Sequence, residues 1–296
     1  MVPHHYHKYV WVFLTAMAFG TMEIALKLGG SAFSALQLTF LRFLIGGLFL
    51  LPFAIRDLRK RAYRLTRRDI GFLACLGLIN IVISMTLFQL SVMHTNANLA
   101  AVLISFNPVI TLVLAHFIVH EHFTKKRALV LAICVTGLCF VANPLHLAKG
   151  NEPIGILMGL GAATAFAFNT VLSRKHIERL GGLTINSFSF ILGAMMELVL
   201  LVIFKEPVFS NITTDTLPLL AYVSLVVTGF GYFCFMRAVK TGGASTASYA
   251  FFVKPIIAMF LAAWILSEPI TWNIILGIGL IVGGCIYSAY SPKKVT

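Results

Sequence analysis

Residues 96–121 read NANLAAVLISFNPVITLVLAHFIVHE, and residues 243–268 read GASTASYAFFVKPIIAMFLAAWILSE. Laid over one another at an offset of 147, they share Ala97/Ala244, Ala100/Ala247, Pro108/Pro255, Leu114/Leu261, Ala115/Ala262, Ile118/Ile265 and Glu121/Glu268. The same offset pairs Phe19 with Phe166, Phe43 with Phe190, Gly46 with Gly193 and Gly137 with Gly284. Self-similarity at one fixed offset marks a duplicated structural unit. The expected copies are 1–147 and 148–296.

Both stretches are long apolar runs interrupted by one proline, and the rest of the chain has the same character. Hydrophobic residues make up 59% of the 296 and charged residues 11%, against about 45–50% and 25% in soluble domains. A membrane-crossing helix needs about 20 mostly apolar residues. Such runs fall near 9–27, 33–55, 69–91, 95–118, 126–143, 153–174, 183–204, 217–239, 243–266 and 272–290. The fifth is the shortest. The first has no clear cleavage site after it and reads as an uncleaved anchor. No loop is long enough for a soluble catalytic head. The five cysteines, Cys75, Cys134, Cys139, Cys234 and Cys285, all lie in apolar runs, without the spacing of a disulfide framework or metal site.

The net charge of +13 would suggest nucleic acid in a soluble protein, but its placement argues otherwise. With ten spans, eighteen of the 23 cations fall on the side shared by both termini, including Arg56, Arg59, Lys60, Arg61, Arg64, Arg67 and Arg68 between the second and third spans. Lys27, Lys149 and Lys205 fall on the other side, and Arg42 and Lys254 lie inside spans. Cytoplasmic loops carry the cationic excess, so both termini are expected in the cytoplasm. The same charges are suited to anionic lipid, and no nucleic-acid partner is expected.

Five is odd, so the second copy enters the membrane upside down relative to the first. The seven-cation loop has only Lys205 at its counterpart, and Lys125, Lys126 and Arg127 correspond to Trp272, Asn273 and Ile274. Inverted repeats around a midplane site recur in secondary transporters, where exchanging the conformations of the halves alternates access. The expected fold is an all-α integral membrane protein, with ten transmembrane helices as two inverted five-helix repeats around a central cavity.

Several motifs lie on this frame in order: Phe19-Gly20-Thr21 and Lys27 in the first span, Arg42-Phe43 in the second, and the stretches Pro108…Glu121 and Pro255…Ser267-Glu268-Pro269. Over nearly its whole length the chain resembles the drug/metabolite transporter superfamily, EamA type, with two five-helix repeats. Glu23 departs from the pattern, since many members have an apolar or aromatic residue there. The resemblance implies export or uptake of a small metabolite such as an amino acid, with export the expected direction from family habit, often driven by an ion gradient.

Candidate site residues follow from the cost of polarity in hydrocarbon. A charge at a helix centre costs roughly 2.5–3.5 kcal/mol, so Glu23, Arg42, Glu197 and Lys254 demand partners or a wet cavity. Lys254 is a candidate to receive a substrate carboxylate, Arg42 a further substrate-binding candidate, and Glu23 or Glu197 a candidate to titrate during the cycle; a fixed structural ion-pair set is the alternative. Pro108 and Pro255 remove an N–H and crowd the carbonyls of Ile104 and Phe251, and matched interruptions in two halves point to a midplane site. They are candidates for gating, and a packing kink is the bland alternative. Asn98, on one face of the fourth span with Ser105, and Asn107, on another, extend the substrate lining, as do Ser245 and Tyr249 in a stripe of the ninth span that also holds Ser248 and Phe252. Glu121 and Glu268 read as acids at the N-termini of the fifth and tenth helices, with Thr124 and Thr271 as caps. His116, His120 and His122 suit a helix C-terminus better than a metal.

A secondary transporter is therefore the expected function, with a small-molecule solute, membrane lipid and a coupling proton or other ion as partners. It would lie in the cytoplasmic membrane as a multi-pass protein. A lipid-modifying membrane enzyme would need an interfacial carboxylate or histidine cluster, and none has convincing spacing. A passive channel would favour an oligomeric pore. No GxxxxGK[ST] loop is present to use ATP directly, and no cofactor is implied.

Overall fold

A computed structural model describes residues 7–29, 32–95, 97–121, 124–142, 152–266 and 272–290. Among them the regular structure is entirely helical. Eight helices are long and apolar enough to cross a membrane: α1 (Lys8–Gly29), α2 (Ala35–Lys60), α3 (Arg67–His94), α4 (Leu99–Val119), α6 (Pro153–Leu180), α7 (Gly182–Ile203), α8 (Leu217–Gly242) and α9 (Ala244–Ile265). Between and after them lie α5 (Lys125–Ala142) and α10 (Trp272–Tyr290).

The count of spans is thus eight among the described residues, against the ten expected. The described part of α5 opens on Lys125, Lys126 and Arg127 and so holds an apolar run of fifteen residues, shorter than those of the eight helices above. In α10 the apolar stretch among the described residues is Ile275–Gly284.

Polar residues set the helix ends. Ser34 accepts from the Gln37 N–H at the start of α2, and Thr66 with Asp69 forms a capping box at the start of α3, each supplying acceptors for orphan backbone donors. Thr124 accepts from the Arg127 N–H and caps α5, as expected. Gly181 and Gly243 take φ of 81° and 84°, which lets α6 turn into α7 and α8 into α9 almost without a loop.

The packing is reciprocal. α2 lies along α7, and α5 along α10; α1 packs on α8 and α9, as α6 does on α3 and α4. Close approaches repeat at the offset of 147. A Cβ at Gly46 would meet the Ser224 carbonyl oxygen and Thr228 Cγ2, and one at Gly193 would meet the Gly77 carbonyl oxygen and Ile81 Cγ1. Gly137 sits against the Gly277 carbonyl and Ile281, as Gly284 sits against the Val130 carbonyl and Cys134. Among the described residues three counterpart pairs touch: Cys134 Sγ reaches the Ile281 carbonyl at 3.9 Å, the Tyr232 hydroxyl donates to Met85 Sδ at 3.3 Å, and the Phe43 and Phe190 rings meet.

Regular α geometry fails at matched places. α3 widens to a π-helix over Leu78–Met85 and α8 over Tyr222–Gly231. α4 and α9 break, but not in the same way. Pro108, expected in mid-helix, instead opens a new helical segment, Asn107–Val119, after the turn at Ser105 and Phe106. Proline is tolerated in a first helical turn, where its missing N–H leaves nothing unpaired. Pro255 does lie inside its helix, and the break falls earlier, at Ser248 and Tyr249.

Glu121 corrects a second expectation. Its carboxylate caps α9 rather than α5, accepting from the Ala244 N–H at 2.9 Å and the Ser245 hydroxyl at 2.7 Å, with Arg127 Nη1 at 3.6 Å. Glu268 and Thr271 lie outside the described residues. His116 Nδ1 lies 3.1 Å from the Glu121 carbonyl and His120 ends its helix at φ 54°, a C-terminal role; His122 is outside the described residues.

Candidate functional site

The four charges within apolar spans are all fully buried: Glu23 on α1, Arg42 on α2, Glu197 on α7 and Lys254 on α9. The fold gathers them where the two copies meet. Lys254 Nζ is in direct ionic contact with Glu23 Oε1, and it lies 4.9 Å from the centroid of the Phe88 ring and 5.7 Å from that of Phe251. The second carboxylate oxygen of Glu23 has no hydrogen-bond partner. A buried pair of this kind is compensated by attraction only if both members stay in place.

Arg42 is more open. Its Nη1 points at Met22 Sδ, 3.5 Å away, and the guanidinium sits 4.6 Å from the centroid of the Phe43 ring. Nε and Nη2 have no hydrogen-bond partner. Glu23, Glu197 and Tyr232 lie within its electrostatic reach. Glu197 accepts from the Thr86 hydroxyl at 2.7 Å with Oε1, and its Oε2 is unpartnered. Buried polar atoms without partners are rare in native structures and call for an explanation.

Around this cluster stands a wall of rings. Tyr232 is enclosed by Phe19, Phe43, Phe166 and Phe190, at centroid distances of 5.1, 5.8, 6.0 and 4.9 Å. These four are two counterpart pairs, and Phe43 meets Phe190 edge to face at 4.9 Å. Where a central cavity was expected, packed aromatic side chains fill the middle. Tyr232, Thr86, Asn80 and Gln89 are buried polar residues of the centre that sequence reasoning passed over. Uncharged polar residues in an apolar run carry little signal, although the offset that pairs Met85 with Tyr232 would have drawn attention to both.

The remaining candidates scatter. Asn107 is buried, donates to the Ala163 carbonyl at 3.3 Å and accepts from the Thr111 hydroxyl, so it joins α4 to α6. Ser245 is taken by Glu121, away from the charged centre. Tyr249 stacks on Phe252 and packs against both the main core and a smaller apolar cluster of Val130, Cys134 and Ile281. Asn98 lies in the helical segment Ala97–Ile104, and its side chain is outside the described residues.

Polar networks hold both ends of the bundle. At the end carrying Arg56–Arg68, Arg179 meets buried Asp69 at 2.7 Å, and Tyr63 donates to the same carboxylate at 2.8 Å. That hydrogen bond holds the Tyr63 phenol above its usual pKa. At the other end Lys27 donates to the Val92 and Thr95 carbonyls at 3.0 and 2.9 Å, satisfying the C-terminus of α3. Ser34 bonds Glu206 there, and Asn211 donates to the Ala32 carbonyl at 2.8 Å.

Comparison with known proteins agrees with this architecture. The model of the EamA-like transporter family matches twice, over residues 8–143 and 153–290. A protein of Clostridium kluyveri described as an uncharacterized transporter is 36% identical, over 97% of this chain and 94% of its own. The uncharacterized transporter YoaV of Bacillus subtilis is 25% identical, over 94% and 96%. The S-adenosylmethionine uptake transporter of Rickettsia prowazekii is 24% identical, over 96% and 92%. A chain of known crystal structure, 16% identical, superposes with a TM-score of 0.74 over 95% of this chain and 96% of that one, a likeness of fold. Eight apolar helices and two family matches that together span almost the entire sequence make this chain an integral, multi-pass membrane protein that belongs to the EamA-like transporter family.

Proposed function

We propose that the protein is a secondary active transporter that carries a small organic solute across the cytoplasmic membrane by alternating access. In this reading its halves, 1–147 and 148–296, are inverted five-helix repeats, with α5 and α10 as the ninth and tenth spans. The reciprocal contacts at offset 147 support the repeat, because an arrangement in which residue i meets j′ and j meets i′ is that of a two-fold interface. The cationic end carrying Arg56–Arg68 faces the cytoplasm, and both termini with it.

The single observation that carries the transport site is the buried charge cluster at the junction of the halves, with unpartnered atoms on Arg42, Glu23 and Glu197. A permanently closed core would gain nothing from leaving such groups unsatisfied. Packed aromatic rings fill the centre, so the solute enters only when the halves move apart. An anionic solute group then bonds Arg42 Nε and Nη2 and competes with Glu23 for Lys254. Glu23 and Glu197 are the acids able to take up a coupling proton, and Pro108, just after the break in α4, and Pro255, inside the segment that follows the break in α9, are the gating candidates. Asn98 and Asn107 lie on the broken helix of the first half and extend the lining once it opens; Tyr249 and Ser245 do so in the second. The relative named for S-adenosylmethionine supports a small organic solute as the cargo class.

The test begins with melting of the purified protein against amino acids, nucleosides and aromatic metabolites, since a ligand of the folded state raises the melting temperature. The stabilising compound is then loaded, unlabelled, into proteoliposomes. Uptake of its labelled form by exchange is expected. Single-channel currents without exchange would overturn the carrier reading.

A further inference from the structure

A cavity of about 60 Å³ lies between the ends of α2, α7 and α8, at the cation-rich end of the bundle. Three cations line it, Arg61, Arg237 and Lys240, against one acid, Asp57. Asp57 is already engaged with Arg61 Nε at 2.7 Å. Lys240 meets Glu178 only at 3.7 Å. Arg237 has no carboxylate within 4 Å among the described residues; its guanidinium lies 5.8 and 5.5 Å from the ring centroids of Trp11 and Phe233. The cavity therefore has a cationic surplus and fits an anion with several acceptor oxygens. Arginine's planar fork matches phosphate in particular.

The surroundings identify where that phosphate comes from. Arg237 is exposed and ends a stripe on α8 formed by Tyr222, Val226, Phe230 and Phe233, spaced three or four apart. Tyr222, Val226 and Phe230 are exposed large hydrophobics, as are Val10, Phe13 and Met17 on neighbouring α1. Fifteen residues separate Tyr222 from Arg237. The π-helical part, Tyr222–Gly231, keeps the rise somewhat below the roughly 22 Å of a regular α-helix. That is still enough for an acyl chain to lie along most of one leaflet, half of a roughly 30 Å core. Trp11 packs edge to face on Phe233 at 5.9 Å, at the level where amphipathic rings favour the interface.

We propose that this cavity binds the headgroup of one anionic phospholipid, with its phosphate among Arg61, Arg237 and Lys240 and its acyl chains along the α8 stripe. Basic pockets between membrane helices recognise lipid headgroups in this way. A free phosphate shares the headgroup chemistry and lacks the chain contacts.

Native mass spectrometry of the intact chain, released from mixed phosphatidylglycerol and phosphatidylcholine micelles, tests this. One retained phosphatidylglycerol and no retained phosphatidylcholine are expected. Arg237→Gln with Lys240→Gln should weaken retention about thirtyfold, from about 1 kcal/mol for each cation removed. Both side chains are at least partly exposed, and monodisperse gel filtration checks that the double variant folds. Arg56→Gln with Arg59→Gln removes two exposed cations at the same end but outside the cavity, and should leave retention unchanged. Equal losses in both pairs would show diffuse surface attraction and overturn the site, as would no loss in either. In a separate arm, inorganic phosphate at millimolar concentration should neither raise the melting temperature nor displace the lipid. If it raises the melting temperature while phosphatidylglycerol is not retained, the ligand is a soluble phosphate and the lipid assignment falls.

Discussion

Lys254 and Glu23 face one another with both side chains fully buried, so removing either leaves the other as an isolated charge. Breaking a buried pair typically costs about 3–5 kcal/mol, whereas replacing both members with neutral groups is far milder. Lys254→Met is therefore expected to lower thermal stability strongly, and Glu23→Gln with Lys254→Met to recover most of it. Neither variant should support solute counterflow. A folded Lys254→Met protein that exchanges at the wild-type rate would remove lysine from the binding role. The four charges could be found in the sequence because charge in an apolar run is expensive. Their pairing could not, since contact between α1 and α9 depends on packing across the duplicated halves. Ser245 misled for the same reason: its polar stripe is real, but a carboxylate from the end of α4 claims its hydroxyl.

Helix α7 approaches α3 at Gly193 even more closely than α8 approaches α2 at Gly46. A methyl group at Gly193 would lie 2.5 Å from Ile81 Cγ1 and 2.8 Å from the Gly77 carbonyl oxygen. One at Gly46 would meet Thr228 Cγ2 at 2.9 Å and the Ser224 carbonyl oxygen at 3.0 Å. Gly193→Ala and Gly46→Ala should each destabilise by about 1–3 kcal/mol, the range for overpacking, with a matching fall in melting temperature. Gly279→Ala, which meets nothing within 4 Å, should be neutral or slightly stabilising. Apolar run length located these helices well, and Thr124 marked where α5 starts; Ser34 and Thr66 cap α2 and α3 without having been singled out in the sequence. The π-helical stretches were not legible, since run length and composition do not distinguish them from regular α-helix. Pro108 signalled an interruption correctly, but only the tertiary fold could decide between a bend and a fresh start.

Orientation of the assembled bundle is testable with single cysteines in a background lacking the native five. Arg64→Cys, in the exposed connection before α3, should react with a membrane-impermeant maleimide only after permeabilisation. Asp215→Cys, exposed in the connection before α8, should react in intact cells. The reverse pattern would reject the proposed topology. Duplication and charge placement were legible because both survive as counts along the chain. The filled centre was not, since whether rings from two halves leave a hollow or close it depends on the conformation the halves adopt. Glu121 adds one consequence for motion. Its carboxylate, near the end of the first half, grips the first turn of a helix in the second, pinning the two at one rim. A rocking cycle must then swing about that clasp as its fulcrum or unfasten it on every turnover.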